Sequence, residues 1–458
     1  MKNTHIQSFS STSFWFDGVR PQLPFLPPLE GHHKFDVAII GGGFTGLSTA
    51  IALRERGVNV AIIEKGKAGS GASGQNSGHV GCSLGMLPLL TYKNFGEERT
   101  KQLSVVVNNA VDNVGNMIAR SGIDCDYNQC GNLMAAVSEG QGNGKLEKYA
   151  ALFERMGIKN ENLDSRALQK KGIPPSIVQA IHWKKGGVIN PAKYARCLVE
   201  VALKEGVIIF EDSEVKTIKS GQKNTLKTER GSITCNKVML ATNAYSGELG
   251  FLKRKILPMS VSVFVTEPLT KEQRFRLDWK GGEGITTAHM ALENIRLTAD
   301  NRILIGSKAA RLGYGTSHPV ANDPSTFAKL NSVFRDRLPE LADVNIDIGW
   351  TGRVGISSDG VPMIGTLTEH KNIYYSAGYC GHGIAMASNA GNIVAKLMCD
   401  EDLEESRILV ERKVLSIPPE PIRWLAGKSI LTAMAHIDKK VDKDASKKRL
   451  NRNYEFKF

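Results

Sequence analysis

Residues 34–66 read "KFDVAIIGGGFTGLSTAIALRERGVNVAIIEKG": an apolar run into glycines, a segment with helical spacing that stops at Gly57, and a second apolar run. Continuous short apolar runs are the mark of buried parallel strands, so the stretch is a βαβ unit. Gly41, Gly43 and Gly46 stand at the turn between strand and helix, and Glu64 ends the second strand. Glycines there allow a tight turn and close backbone approach, the helix N-terminus faces a pyrophosphate, and the carboxylate accepts from ribose hydroxyls. With strand, helix and carboxylate in register, the stretch is a dinucleotide site rather than a glycine-rich turn.

Flavin and nicotinamide enzymes share this fingerprint, so it leaves the dinucleotide open. Glu64 in place of a basic residue disfavours a 2′-phosphate, and with it NADP. A second nicotinamide domain is also disfavoured, because "EGQGNGK" at 139–145 is not expected to follow a buried strand. Directly after Glu64 comes "GKAGSGASGQNSGHVG", residues 66–81, too rich in glycine and serine for a core helix. Its amides and the side chains of Ser70, Ser73 and Asn76 suit a long cofactor's phosphates and polyol chain, and equally suit a plain surface loop.

The 458 residues give room for two or three domains, and 41% hydrophobic with 23% charged residues argues against disorder. A net charge of +13 favours acidic partners, but no zinc-finger spacing or RNA-binding motif accompanies it, so no nucleic-acid partner is expected. Seven scattered cysteines without CxxC point to reduced thiols and a cytoplasmic setting. Cys125 and Cys130 are read as ordinary thiols rather than a redox pair, since nothing electropositive flanks them. The N-terminus lacks the apolar core of a signal peptide, and no apolar run reaches ~18 residues.

Downstream, "NPAKYARCLVEVALKEGV" reads as a helix opened by proline, and "NIYYSAGYCGHGIAMASNAGNIVAKL" as strand, glycine turn and helix. The first 33 residues read as an irregular, proline-rich arm. "IPPEPIRWLAGKSILTAMAHIDKK" reads as an amphipathic segment that docks on the body, a second subunit or an anionic membrane, and the basic final stretch, residues 437–458, as frayed.

Taken in order, residues 36–78, "GNLMAA", "GVINPAKYARCLVEVALKEGV", "KVMLATNAYSG", "IRLTADNRILIGS", "GWTGRVGISSDGVPMIG" and the GHG segment resemble the FAD-dependent oxidoreductases of the D-amino-acid oxidase, glycine oxidase and sarcosine oxidase family. "GASGQNSG" most resembles γ-glutamylputrescine oxidoreductase-like members. The resemblance spans roughly residues 12–400. It implies an α/β fold in which a Rossmann-like FAD-binding domain, discontinuous in sequence (35–86, 188–246 and 346–398), alternates with an α+β substrate domain (87–187 and 247–345). A 1–34 arm and a basic 399–458 tail complete the expected layout.

The resemblance also implies FAD as cofactor and oxidation of a C–N bond, with an amine substrate and oxygen or a quinone as electron acceptor. Carried over residue by residue, the expected cofactor contacts are Gly41, Gly43, Phe44, Thr45, Gly46, Glu64, Lys65, Ser70, Gly71, Ala72, Ser73, Asn76, Val215, Ala241, Thr242, Asn243, Gly352, Gly381, His382, Gly383 and Ile384. His382, between two glycines at a helix start, is the candidate to stabilise charge on the flavin, and Arg353 the candidate to bind a substrate carboxylate. Trp350 and His289 are read as structural, and no metal site is expected. Sarcosine oxidases carry a carboxylate-binding Lys soon after the GHG turn and a flavin-linked Cys nearby. Here Ala385 stands at the first position and "GWTGRVGISSDG" holds no cysteine, so sarcosine is a poor substrate and the FAD is expected to be noncovalent, His79 and Cys82 being remote candidates for a link. The leading substrate is γ-glutamylputrescine or a relative. The alternatives are a quinone-linked amino-acid dehydrogenase touching the membrane through its tail, and a noncatalytic FAD-binding scaffold. The sequence does not assign an oligomeric state.

Overall fold

The structure, a computed structural model, describes residues 6–19, 24–315 and 321–455, with side chains to Ser446. The parts of the expected arm at 1–5 and 20–23, and the tail side chains from 447 on, lie outside the described residues.

Two sheets organise the chain. In the first, five parallel strands lie in the order His370–Ala377, Gly231–Leu240, Gly31–Ile40, Val60–Ile63 and Ile208–Phe210. The βαβ unit is thus completed by strands about 150 to 310 residues downstream in the sequence. Each central strand is apolar on both faces because helices cover one side and smaller strands and loops the other. The covering helices are Phe44–Arg54, Pro191–Lys204 and Gly383–Met398. Gly391 lets the last approach the first closely: a Cβ there would lie 2.3 Å from the Ser48 carbonyl carbon. Asn190 starts the middle helix, its side chain accepting from the Ala192 and Lys193 amides, with Pro191 at the first turn.

The second, larger sheet runs Ile6–Phe9, Ile346–Ser357, Ile256–Thr266, Ile303–Ser307, Glu293–Leu297, Gly284–Thr287, Asn132–Ala136, Gln179–Trp183 and Glu161–Leu163, with Arg311–Leu312 paired at one side. Helix Pro324–Arg337 packs on it through Phe327, Leu330 and Phe334.

The structure departs from the expected layout in several places. The arm is not irregular throughout: Ile6–Phe9 pairs with Ile346–Gly349, and helix Phe14–Val19 buries Trp15, Phe16 and Val19. Residues 346–357 belong to the large sheet, because their long strand pairs along its length with Ile256–Thr266. Helix Pro88–Ser121, expected in the substrate domain, packs with the FAD-side helices. Its stripe of Leu103, Val107, Ala110 and Val114 shares a core with Leu47 and Leu198, and Asn113 bonds the Ser388 carbonyl. Finally, "EGQGNGK" does follow a buried strand, Asn132–Ala136, but turns into helix and a π-helical turn, Gly142–Leu146, rather than a phosphate loop.

The tail is not frayed. A helix spans Ile422–Glu455 and docks on the larger sheet: Asp438 accepts from the Met290 and Ala291 amides at 2.8 and 2.9 Å. No helix among the described residues is long and apolar enough to cross a membrane.

Candidate active site

A cavity of about 2230 Å³ runs from the carboxyl ends of the parallel strands, between the sheets, to the C-terminal helix. Ordinary ligand pockets reach ~1,000 Å³, so it has room for a dinucleotide and a substrate together. Its mouth is the fingerprint. A Cβ on Gly46 would sit 1.9 Å from the Gly41 carbonyl oxygen, so helix and turn meet in a way that only glycine allows. Gly41, at φ +105, packs a would-be Cβ 2.8 Å from the Ala241 oxygen of the next strand turn. Glu64 accepts from the Gly42 and Gly66 amides at 2.7 and 2.8 Å. Burial raises its carboxyl above the usual range while these two bonds act the other way.

The loop after Glu64 is pre-formed by its own side chains. Ser73 Oγ accepts from the Phe44 amide, Ser70 Oγ donates to the Lys67 carbonyl, and Asn76 holds both the Ala72 and Ser73 carbonyls and the Gly78 amide. These three side chains, expected to reach a cofactor, thus shape the loop, which lines the cavity with Gly71 and Ala72. Lys65 and Val215 also line it, Lys65 facing Glu214 at 3.6 Å and the Tyr245 ring.

The Ala241–Asn243 turn and the GHG turn are stitched together: Asn243 Oδ1 accepts the Gly378 amide at 3.0 Å. Tyr379 OH bridges Thr45 Oγ1 at 2.8 Å and Ser376 Oγ at 2.6 Å, tying the last turn to the first helix. His382 precedes helix Gly383–Met398 and contacts the Cys380 carbonyl through Nδ1. Burial lowers its imidazole below the ordinary value. Cys380, at φ +55, is buried against Ser357, and burial raises its thiol, which disfavours the thiolate that a nucleophile needs. Gly352 lies against Gln75, whose Oε1 would be 3.1 Å from a Cβ there, and Gly381 and Ile384 complete the cavity wall.

Arg353 lines the cavity but is held by Glu248 at 3.2 Å and lies over the Tyr245 ring. Arg311, Lys308, Arg337 and Arg423 line the cavity and are likewise paired, with Asp323, Glu293, Glu293 and Glu420. Beyond the turn, buried polar side chains face the cavity: Trp183 Nε1 has no hydrogen-bond partner among the described residues, and the His79 ring lies beside the Asn132 side chain, which favours its protonated form. Burial, then the buried Arg296 cation, pushes the His79 imidazole down to about 3, and His382 is near enough to add to this. His79 thus stands in the site as a neutral imidazole. It stands directly after Gly78, near the end of the glycine-serine stretch 66–81.

His289, Glu293 and Asp442 bring ligand atoms together, but the group is an ion-pair network. Arg337 forks onto Glu293 at 2.8 and 3.0 Å and reaches Asp442, and Lys308 contacts both carboxylates. These cations already neutralise the carboxylates that a metal would need.

A family model described as "FAD dependent oxidoreductase" (DAO) matches residues 36–397. The chain belongs to the DAO family. It is 31% identical over 391 residues to γ-glutamylputrescine oxidoreductase of Escherichia coli, covering 85% of this chain and 89% of that one. It is 30% identical over 420 residues to the probable oxidoreductase OrdL of Haemophilus influenzae, covering 88% and 92%. The fold superposes on the crystal structure of glycine oxidase from Geobacillus kaustophilus with a TM-score of 0.67 at 22% identity, over 83% of this chain and all of that one. This DAO-family chain is an FAD-dependent oxidoreductase. The glycine cradle and the strand-end cleft offer the room and the close backbone approach that FAD requires, and the family model ends before the C-terminal helix that lines the far end of the cavity.

Proposed function

We propose that this enzyme oxidises a primary amine at the end of a γ-glutamyl polyamine chain, γ-glutamylputrescine being the leading substrate. Arg353, held by Glu248, supports this reading. With Ala385 where sarcosine oxidases place Lys, the GHG turn lacks the cation that an α-amino acid's adjacent carboxylate requires, whereas a terminal amine needs none. The named E. coli relative acts on a substrate of this kind.

FAD, when bound, supplies the two-electron acceptor. The amine becomes an imine, losing a hydride from carbon and a proton from nitrogen, and water converts the imine to an aldehyde and ammonia. The chain's part is positional. His79, neutral and beside the Asn132 amide, keeps a ring nitrogen to accept a hydrogen bond from the amine N–H, and the nearby Arg296 charge disfavours the ammonium form. His382 and the amides opening helix Gly383–Met398 present positive dipole where negative charge develops. The cavity cysteines are poor candidates for a covalent link, since burial raises the thiols of Cys82, to about 11, and Cys380. The flavin is therefore held noncovalently.

The test is anaerobic mixing of the yellow protein with γ-glutamylputrescine, putrescine, L- and D-amino acids and N-methyl amino acids. Rapid bleaching by the first supports the reading. Bleaching by α-amino acids alone supports a dehydrogenase of amino acids, and no bleaching by any amine supports a scaffold. A quinone acceptor gains support from the outward face of the C-terminal helix, where Ile422, Leu425 and Ile437 are exposed among lysines. Dye reduction without oxygen uptake, together with sedimentation on anionic vesicles, would favour it over an oxidase.

A further inference from the structure

The cavity continues well past the GHG turn, and its floor is a ruler. Gly284 and Asn132 are paired across neighbouring strands, and the His79 ring packs on Gly284, where a Cβ would lie 2.7 Å from it. Four residues further along the same strand direction is Ala288, whose carbonyl accepts the Lys145 amine at 2.8 Å. At ~3.3 Å per residue the two levels are about 13 Å apart. Met134 and Thr286 line the cavity between them.

Lys145 differs from the paired cations described above. It is presented by the π-helical turn Gly142–Leu146, an element enriched at functional sites, and no carboxylate among the described residues lies within ion-pair distance of it. Burial lowers its amine, and the charge of Asp438 acts the other way. Asp438 lines the same end of the cavity from the C-terminal helix, and is 2% exposed. It accepts two backbone amides, yet an ionised carboxylate has about four acceptor positions, so it retains capacity for an ammonium.

Resting on the proposed function, we propose that Lys145 and Asp438 form a distal subsite for an α-amino-acid head, Lys145 taking the carboxylate and Asp438 the α-ammonium. The substrate length agrees. About ten bonds separate the terminal nitrogen of γ-glutamylputrescine from its carboxylate carbon, and extended chains advance about 1.2 Å per bond, giving about 12 Å. An amine oxidised beside His79 then places its glutamyl head at Lys145. Short α-amino acids do not reach both ends.

The experiment compares γ-glutamylputrescine with N-acetylputrescine, which keeps the amine and the amide but lacks the head. Binding to the FAD-loaded protein is measured by anaerobic titration calorimetry, and reduction by flavin bleaching. The wild type is expected to bind the glutamyl compound roughly 30-fold or more tighter. Lys145→Met reduces that preference to within about threefold, and Lys145→Arg retains part of it. Asp438→Asn also lowers the preference, though its anchoring role makes Lys145→Met the deciding variant. Equal affinity for the two compounds in the wild type, or an equal loss for both in Lys145→Met, overturns the subsite. Lys145-dependent preference without flavin reduction would leave the subsite standing and remove the proposed function. Reduction by both compounds without preference does the reverse.

Discussion

Asn243 Oδ1 accepts the Gly378 amide at 3.0 Å, joining two turns that are 135 residues apart in sequence. Asn243 itself has φ +41, in the left-handed region that Asn tolerates better than most residues. Asn243→Ala loses the bond and strains the backbone, whereas Asn243→Gly loses only the bond. The expected costs are about 2–4 and about 1–2 kcal/mol, read as a larger fall in thermal midpoint for the alanine variant. FAD affinity should fall with both, since both turns line the cofactor cleft. Equal midpoints for the two variants would show that the backbone conformation contributes nothing.

Gly46→Ala tests the cradle. Its methyl would stand 1.9 Å from the Gly41 oxygen, so helix and turn must separate. The variant should purify colourless or as aggregate, and added FAD should not restore the yellow band. Glu64→Gln is milder, because the amide keeps one acceptor oxygen for the Gly42 and Gly66 amides but sets an N–H₂ against the other. A loss of about 10- to 100-fold in FAD affinity is expected, measured by fluorescence titration. In the wild type, acid precipitation should release all the flavin into the supernatant, and yellow colour retained in the pellet would contradict a noncovalent cofactor.

The fingerprint was legible because its parts are local. Gly41, Gly43, Gly46 and Glu64 lie within one βαβ unit, and each glycine's task follows from its neighbours. What the sequence hid depends on pairing between distant segments. The strand at 346–357 has the same apolar pattern whether it joins the small or the large sheet, and its partner, 256–266, settles the matter. Lys145 escapes a sequence reading because "EGQGNGK" invites only the question of a second dinucleotide fingerprint, and the strand before it, Asn132–Ala136, is too short to stand out. Ser70, Ser73 and Asn76 line the cleft, but the Ser70 and Asn76 side chains bond back onto their own loop and Ser73 Oγ takes the Phe44 amide of the first helix, which composition does not reveal.

The acid side of the pH–rate profile should belong to the substrate. His79 is held at about 3 and His382 is also lowered, so both stay neutral through the physiological range. Hydride transfer needs the neutral amine, so kcat/KM should rise with pH towards the amine's own ionisation. Amines of different basicity should therefore move the limb in parallel with their pKa. His382→Asn should lower kcat about 10- to 100-fold without moving the limb. A limb near 6.5 that is common to all substrates and vanishes in that variant would assign it to His382 instead.

The clasp of the C-terminal helix has its own pH signature. Burial of Asp442 acts to raise its carboxyl, but His289, Arg337 and Lys308 together hold it far below the usual range. A carboxyl depressed in the folded state adds stability that is present above its unfolded pKa of about 4 and is lost as pH falls through the lower folded value. Asp442→Asn should thus lower the thermal midpoint at pH 7, for a cost of about 1–3 kcal/mol, and release the helix to limited proteolysis. The gap from wild type should narrow as the pH falls below about 4, because protonation then removes from the wild type the charge that the variant already lacks. Arg337 keeps its fork to Glu293 in the variant, so the large sheet should hold while the helix loosens. A gap unchanged between pH 7 and pH 3 would mean that packing of Val441 and Ala445, rather than the charge of Asp442, fastens the helix.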